Sequence, residues 1–162
     1  MPNKKLDDLF YDVLKDVYFA ELKILESLPK MAEAAQSGQL RDAFLKHRDE
    51  TEGQVERLKQ VFDMIGQPAK GKTCEAIRGI IDEDKEIIDE YSDSDALDAG
   101  LIADGQTVEH YEMARYGTLK AWAKRLGMED AANLLDQTLD EEKNTDAILT
   151  ELAEADANRK AA

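Results

Sequence analysis

The stretch that decides the fold reads Val108-Glu109-His110-Tyr111-Glu112. Glu109 and Glu112 are three residues apart, a spacing that puts both side chains on one face of a helix. The same face carries small or apolar residues and one tyrosine over the interval 101–126. Packing gives no reason for two glutamates there, although an edge position that faces solvent would explain one of them. The pair therefore points to carboxylates inside a helical fold.

Three further apolar stripes are interrupted by polar residues in the same way. In the first, Glu21 stands between Val17 and Leu25, where the helical spacing favours a leucine. The interruptions are Glu21 in the first stripe; His47, Glu50 or Thr51, and Gln54 in the second; and Glu142 with Thr145 or Asp146 in the last. They fall level with one another when counted from the turns near Ser37 and Gly127. We therefore expect two polar layers, one from each helix pair, to meet in the middle of the protein.

The rest of the chain has an all-helical pattern. Proline and glycine are scarce, with three and nine residues, and no strand-like alternation persists. Helices are predicted over 5–36, 39–65, 75–91, 95–126 and 129–154. Two tight turns and a connection of roughly 30 residues predict an all-α, ferritin-like four-helix bundle with one long crossover that carries a fifth, shorter helix. Residues 1–162 are expected to form one domain, with the tail 155–162 frayed because it has no apolar anchor.

Composition excludes several classes of protein. The chain has 36 acidic against 21 basic residues and a formal charge of −15, which repels nucleic acid and anionic membranes. Its single cysteine rules out an internal disulfide, and no apolar run reaches the roughly 18 residues of a membrane helix. Residues 1–8 lack the apolar centre of a signal peptide, so a cytoplasmic location is predicted.

Carboxylates that point inward need a counter-charge. Desolvating several ionised groups together is costly, and like charges raise one another's pKa. In helical bundles a pair of metal ions supplies that charge, bound by a Glu from each of two helices and a Glu-x-x-His from each of the others. Protons or a wet cavity are the alternatives, because Lys and Arg are absent from the polar layers of the stripes. His110 falls off its stripe, whereas His47 suits either ligation or a hydrogen bond to a carboxylate.

Several segments in combination match a known family. They are Asp16-Val17-Tyr18-Phe19-Ala20-Glu21 and Val108-Glu109-His110-Tyr111-Glu112, together with 28–32, 50–58, 116–119 and 134–153. With them the chain resembles, over nearly its whole length, the YciE/YciF-like family of bacterial ferritin-like stress proteins. The resemblance implies a bundle related to the rubrerythrins, a homodimer and a link to stress responses, but no securely established reaction.

The resemblance also implies metal ligands. Glu21 matches the first-helix glutamate of rubrerythrin-like sites, and Glu109 with Glu112 matches the Glu-x-x-Glu of the third bundle helix. Glu142 matches the glutamate of the final Glu-x-x-His, although a small rotation of that helix would turn Glu141 inward instead. By this match, the resemblance implies that the four carboxylates bind two iron or manganese ions.

The sequence departs from the rubrerythrin-like pattern at the expected histidines. Thr145 stands in place of the last histidine, and Thr51 and Gln54 stand in place of the Glu-x-x-His of the second helix. Glu50 or Asp146 would substitute from adjacent positions, and Gln54 would ligate through its carbonyl oxygen. The predicted metal ligands are Glu21, Glu50, Gln54, Glu109, Glu112, Glu142 and Asp146. Such an all-oxygen site favours harder ions, namely Mn²⁺, Mg²⁺, Ca²⁺ or ferric iron.

Two functions from different classes fit these residues. One is a di-metal stress protein that acts on iron or manganese together with oxygen or peroxide. The other is a non-catalytic stress protein that keeps the fold while its metal site has degenerated, which the missing histidines favour. Metal content separates the two.

Overall fold

The computed structural model describes residues 3–162, so Met1 and Pro2 of the opening stretch lie outside it. Its five main helices follow the predicted ranges closely. They are α1 (Leu6–Ala34), α2 (Gly38–Met64), α3 (Glu75–Tyr91), α4 (Leu97–Arg125) and α5 (Glu129–Leu152). No strand occurs between residues 3 and 162, and the predicted all-α class is confirmed.

The long helices form a bundle of two hairpins. α1 packs against α2, and α4 against α5; α2 also packs against α5, and α1 against α4. α3 lies in the connection between the hairpins and packs against α1 and α4. The predicted four-helix bundle with one crossover is thus confirmed. No helix of the described chain is long and apolar enough to cross a membrane.

The turn between α1 and α2 is held by the first turn of α4. The backbone N–H groups of Gln36 and Ser37 each donate to the buried Asp98 carboxylate at 2.8 Å. Arg41 donates to the carbonyl of Ala35 at 2.8 Å and to the carbonyl of Ala32 at 3.2 Å. These carbonyls are at the end of α1, where no further helical N–H is available to them. The contacts to Asp98 therefore tie the first hairpin to the second.

The C-terminal tail is helical in the structure. A π-helical turn (Ala153–Ala157) and the short α6 (Asn158–Ala161) continue α5, and the expected fraying of 155–162 stays a prediction. Ala153 and Ala157 are buried, and the turn and α6 contact α4. The two alanines are the apolar anchor that the sequence prediction overlooked.

A polar layer divides the core into two apolar parts. The part nearer the α1–α2 turn includes Ile24, Leu28, Phe44, Leu101 and Leu149. The other part includes Phe10, Leu14, Phe62, Leu119 and Leu135. Between them lie buried side chains that carry charge or hydrogen-bonding groups. The interrupted stripes of the sequence therefore correspond to a real break in apolar packing.

Candidate metal centre

The four long helices bring polar side chains to one level of the bundle. Glu21 comes from α1, His47 from α2, Glu109 and Glu112 from α4, and Glu142 from α5. All five are at most 2% exposed. His47, Glu109, Glu112 and Glu142 each place one ligand atom within 4.8 Å of the others. We call these five residues the carboxylate cluster.

His47 supplies a ring nitrogen to the carboxylate cluster. Its Nε2 lies 3.0 Å from Oε1 of Glu109 and 3.7 Å from Oε2 of Glu142. Its Nδ1 lies 3.4 Å from the Thr145 hydroxyl and 3.8 Å from the Glu50 carboxylate. A neutral imidazole with this orientation offers Nε2 to a metal, whereas a protonated one offers positive charge to Glu109. His47 is missing from the predicted ligands. Its position on the α2 stripe, two helical turns before Gln54, was the signal that its side chain points into the bundle.

Tyr116 and Gln54 hold individual carboxylates of the cluster. The buried Tyr116 hydroxyl donates to Oε1 of Glu21. The Gln54 amide nitrogen donates to Oε1 of Glu142 and, at 3.1 Å, to Oε2 of Glu141. Its carbonyl oxygen has no hydrogen-bond partner among the described residues. That oxygen is the atom the sequence predicts as a ligand, and its ligation stays a prediction.

Arg57 supports Gln54 from the edge of the cluster. Its guanidinium donates to both carboxylate oxygens of Glu141 and, at 2.9 Å, to the Thr138 hydroxyl. Since Glu141 also accepts from Gln54, hydrogen bonds connect Arg57 to Glu142. Outer partners of this kind orient ligands in metal sites. Arg57 is absent from the sequence prediction. Its three-residue spacing from Gln54 on α2 indicates that both side chains lie on one face of the helix.

Glu50 and Asp146 lie outside the group of four residues that share one level. The Glu50 side chain is 24% exposed and pairs with Lys46 at 3.1 Å. Asp146 is 23% exposed; its carboxylate lies 3.3 Å from Nε2 of the exposed His110 and accepts from Gln106 at 3.1 Å. Glu50 reaches the edge of the cluster, 3.8 Å from Nδ1 of His47, but neither carboxylate is among the four residues whose ligand atoms lie within 4.8 Å of one another. Their role as ligands stays a prediction.

The carboxylate cluster, with Gln54 beside it, has many buried oxygens that lack a hydrogen-bond partner among residues 3–162. They are Oε2 of Glu21, Oε1 of Gln54, Oε2 of Glu109, both carboxylate oxygens of Glu112 and Oε2 of Glu142. Folded proteins pair nearly all their buried polar groups. Oxygen atoms of these types bind iron and manganese, so the residues present fit a metal.

Burial raises the pKa values of three cluster carboxyls, those of Glu21, Glu112 and Glu142. It raises the pKa of Glu21 to about 7. The pKa values of Glu112 and Glu142 lie well above the usual range, because burial and the neighbouring carboxylates both disfavour ionisation. Burial alone would lower the pKa of His47, but the charge of Glu109 beside it raises that pKa to about 10. Without a metal, the cluster therefore retains protons that these side chains would lose in water.

Comparison with known proteins places the chain in a family. The family described as a domain of unknown function, DUF892, matches residues 5–162. Protein YciF of Escherichia coli (strain K12) is 43% identical over 162 residues, which cover 99% of this chain and 98% of that protein. The chain belongs to the YciF-like family. The predicted family is thus confirmed.

Two solved structures of similar proteins share the fold. The crystal structure of the E. coli stress protein YciF has a TM-score of 0.91 at 43% identity, with 96% of this chain and 99% of that chain covered. A putative structural protein named YcfI, from Rhodopseudomonas palustris, has a TM-score of 0.88 at 44% identity, with 91% and 94% covered. The YciF-like bundle is therefore supported by both sequence and structure.

Proposed function

We propose that this YciF-like stress protein binds metal ions, iron or manganese, at the carboxylate cluster. The observation that carries the proposal is the set of buried oxygens that lack a hydrogen-bond partner among the described residues, together with the close approach of His47, Glu109, Glu112 and Glu142. With all four glutamates ionised and His47 protonated, three negative charges would remain uncompensated in the core. Unpaired buried charge is strongly destabilising, and a pair of divalent ions would neutralise it.

Glu109, Glu112 and Glu142 would hold the metal together with Glu21, while His47 would ligate through Nε2 after losing its proton. Bound iron or manganese would supply electron transfer to oxygen or peroxide. The protein's own groups prepare the site: Tyr116 holds one oxygen of Glu21, and Gln54 holds one oxygen of Glu142. Their second oxygens are left free.

The first experiment is metal analysis of protein purified without chelator, followed by titration with Mn²⁺ or Fe²⁺. An ion at about 100 times its dissociation constant stabilises the fold by about 2.7 kcal/mol, which a thermal scan resolves. Glu142→Gln is expected to lose most of this shift because it removes a cluster charge. Glu151→Gln, an exposed position on the same helix, is the matched control and is expected to keep it.

Metal content below about a tenth of an ion per chain, with no thermal shift at saturating ion, would contradict the proposal. A second function, a non-catalytic stress protein, is favoured by Gln54 and Thr145 at the expected histidine positions and by Thr51 at the expected glutamate position. The Thr51 hydroxyl donates to the carbonyl of His47 at 2.8 Å, so it serves its own helix. If this second function is correct, Glu142→Gln stabilises the protein and added ions have no effect. The homodimer that the family resemblance implies stays a prediction.

A further inference from the structure

A small cavity adjoins the carboxylate cluster on the side of α3. Its volume is about 20 Å³, room for the centre of about one water-sized molecule. Its walls are mostly apolar: Ile24, Leu28, Met31, Phe44, Val108 and Leu149. His47 and Glu109 of the cluster line it, and so does Asp84 of α3. The cavity is therefore an apolar space with polar groups in its wall.

The cavity shares three lining residues with a hollow on the protein surface. The hollow lies between α1 and α3, has a volume of about 280 Å³ and is bordered by Lys23, Lys85 and Ile88. Ser27, Ile81 and Asp84 line both spaces. We call these three residues the neck, because they separate the outer hollow from the inner cavity.

Asp84 is the polar group of the neck. It is 1% exposed, and neither carboxylate oxygen has a hydrogen-bond partner among residues 3–162. Burial raises the pKa of Asp84 to about 7, and the charge of Asp104 adds to the rise. A buried carboxyl without a hydrogen bond is costly to the fold. This one lines both the hollow and the cavity, and the nearby Ser27 hydroxyl opposes the rise in its pKa. The Asp84 oxygens are therefore available as acceptors to a small molecule in either space.

We propose that hollow, neck and cavity form the access route of a small uncharged oxidant, of the size of hydrogen peroxide or dioxygen, to the carboxylate cluster. The apolar walls disfavour ions, because an ion loses its hydration there. The small volume of the cavity excludes molecules larger than peroxide or dioxygen. The free oxygens of Asp84 and Glu109 accept hydrogen bonds from a hydroxylic molecule such as peroxide. Reduction of the oxidant requires the proposed metal site. Binding of the oxidant in the cavity does not.

Gly105 of α4 offers a way to fill the cavity without touching a cluster residue. A methyl group at this position would lie 3.1 Å from Cδ1 of Leu149 and 3.4 Å from Cε1 of Phe44, two of the cavity walls. Gly117 lies within the same helix, and a methyl group there meets nothing within 4 Å. Gly105→Ala and Gly117→Ala thus make the same chemical change, but only the first narrows the cavity.

The first readout is the NMR relaxation of side-chain methyl groups by dissolved dioxygen in the metal-free protein, because dioxygen is paramagnetic and is itself one of the proposed oxidants. We expect enhanced relaxation at the methyl groups of Val108 and Leu149, which line the cavity, in the unsubstituted protein and in Gly117→Ala, and a smaller enhancement in Gly105→Ala. No enhancement in the unsubstituted protein, or an equal enhancement in Gly105→Ala, would overturn the proposal.

The second readout is the rate at which bound Fe²⁺ is oxidised, with hydrogen peroxide and dioxygen tested separately. Each peroxide takes one electron from each of two Fe²⁺ and, with two protons, leaves two water molecules. We expect Gly105→Ala to slow the reaction several-fold with the oxidant that uses the route, and Gly117→Ala to match the unsubstituted protein. Equal rates in both variants with both oxidants, or slower Fe²⁺ uptake in place of slower oxidation, would overturn the proposal. Failure of the unsubstituted protein to bind Fe²⁺ would instead contradict the metal site, and the relaxation by dioxygen would still decide the route.

Discussion

At the scale of single residues, helical spacing explains why four glutamates lie inside the bundle. Glu21, Glu109, Glu112 and Glu142 interrupt apolar stripes, and all four are buried. Helical spacing was sufficient because it depends only on neighbours in the same helix. Contacts such as Arg57 with Glu141 depend on how two helices rotate against each other, and spacing along one helix does not contain that information.

The hydroxyl of Tyr116 is expected to stabilise the ionised form of Glu21. In Tyr116→Phe this carboxylate loses the hydrogen bond that the Tyr116 hydroxyl donates to its Oε1. Hydrogen bonds to charged groups contribute about 1.5–3 kcal/mol. We therefore expect the free energy of unfolding of the metal-free protein to fall by about that amount above the Glu21 pKa, and by less below it. Urea unfolding at two pH values on either side of 7 measures the difference.

Tyr18→Phe is the matched control for this substitution. Tyr18 packs its ring edge against Phe62, and its hydroxyl has no hydrogen-bond partner among residues 3–162. Its loss is expected to change stability little and equally at both pH values. An equal, pH-independent effect in Tyr116→Phe would show that the hydroxyl does not act through Glu21.

At the scale of helices, the sequence located the elements well because glycine, proline and capping residues mark their ends. It did not indicate which faces the crossover helix α3 covers, since one apolar stripe fits any apolar partner. The structure shows that α3 packs against α1 and α4. Asp84 of α3 is one of the three neck residues and lines the cavity beside the cluster. The role of the crossover at the cluster was therefore visible only in three dimensions.

Close packing of α3 on α4 is tested at Gly100. A methyl group there would lie 2.7 Å from Cγ2 of Ile87 on α3, too close without a shift of one helix. Overpacking of this kind costs about 1–3 kcal/mol. We expect Gly100→Ala to lower the free energy of unfolding by about that amount, as measured by urea unfolding.

Gly53→Ala on α2 serves as the control for Gly100→Ala. A methyl group at Gly53 meets nothing within 4 Å, and alanine is favoured over glycine in a helix by about 0.8–1.0 kcal/mol. The control is therefore expected to be more stable than the parent. A similar gain in Gly100→Ala would mean that α3 does not pack on α4 as the structure shows.

At the scale of the whole molecule, stability of the metal-free protein is expected to fall as pH rises. The pKa of Glu21 is raised from 4.5 to about 7, and that of His47 from 6.5 to about 10. The folded state therefore binds these protons more tightly than the unfolded state, and the resulting stabilisation disappears as pH rises through the folded-state values. Each proton involved changes the free energy of unfolding by about 1.4 kcal/mol per pH unit.

Urea unfolding across the neutral and mildly alkaline range measures this decline. Saturating Mn²⁺ is expected to flatten it, because the ion replaces the protons that are lost. If the free energy of unfolding of the metal-free protein rose over the same pH range, the raised pKa values of Glu21 and His47 would be contradicted. The expected slope is a property of the assembled bundle, since it requires all four helices.

Asp98 and the carboxylate cluster also have a consequence for the order of folding. Each hairpin is closed by a short turn and assembles from contacts close in sequence, which form rapidly. The bonds from Asp98 to Gln36 and Ser37 span 62 and 61 residues, and the cluster needs one side chain or more from each hairpin. Three of the four glutamates, Glu109, Glu112 and Glu142, lie in the second hairpin, so repulsion among them is already present while that hairpin forms. Docking adds Glu21 from the first hairpin, and an ion that joins both halves would lower the kinetic barrier to this step as well as stabilise the product.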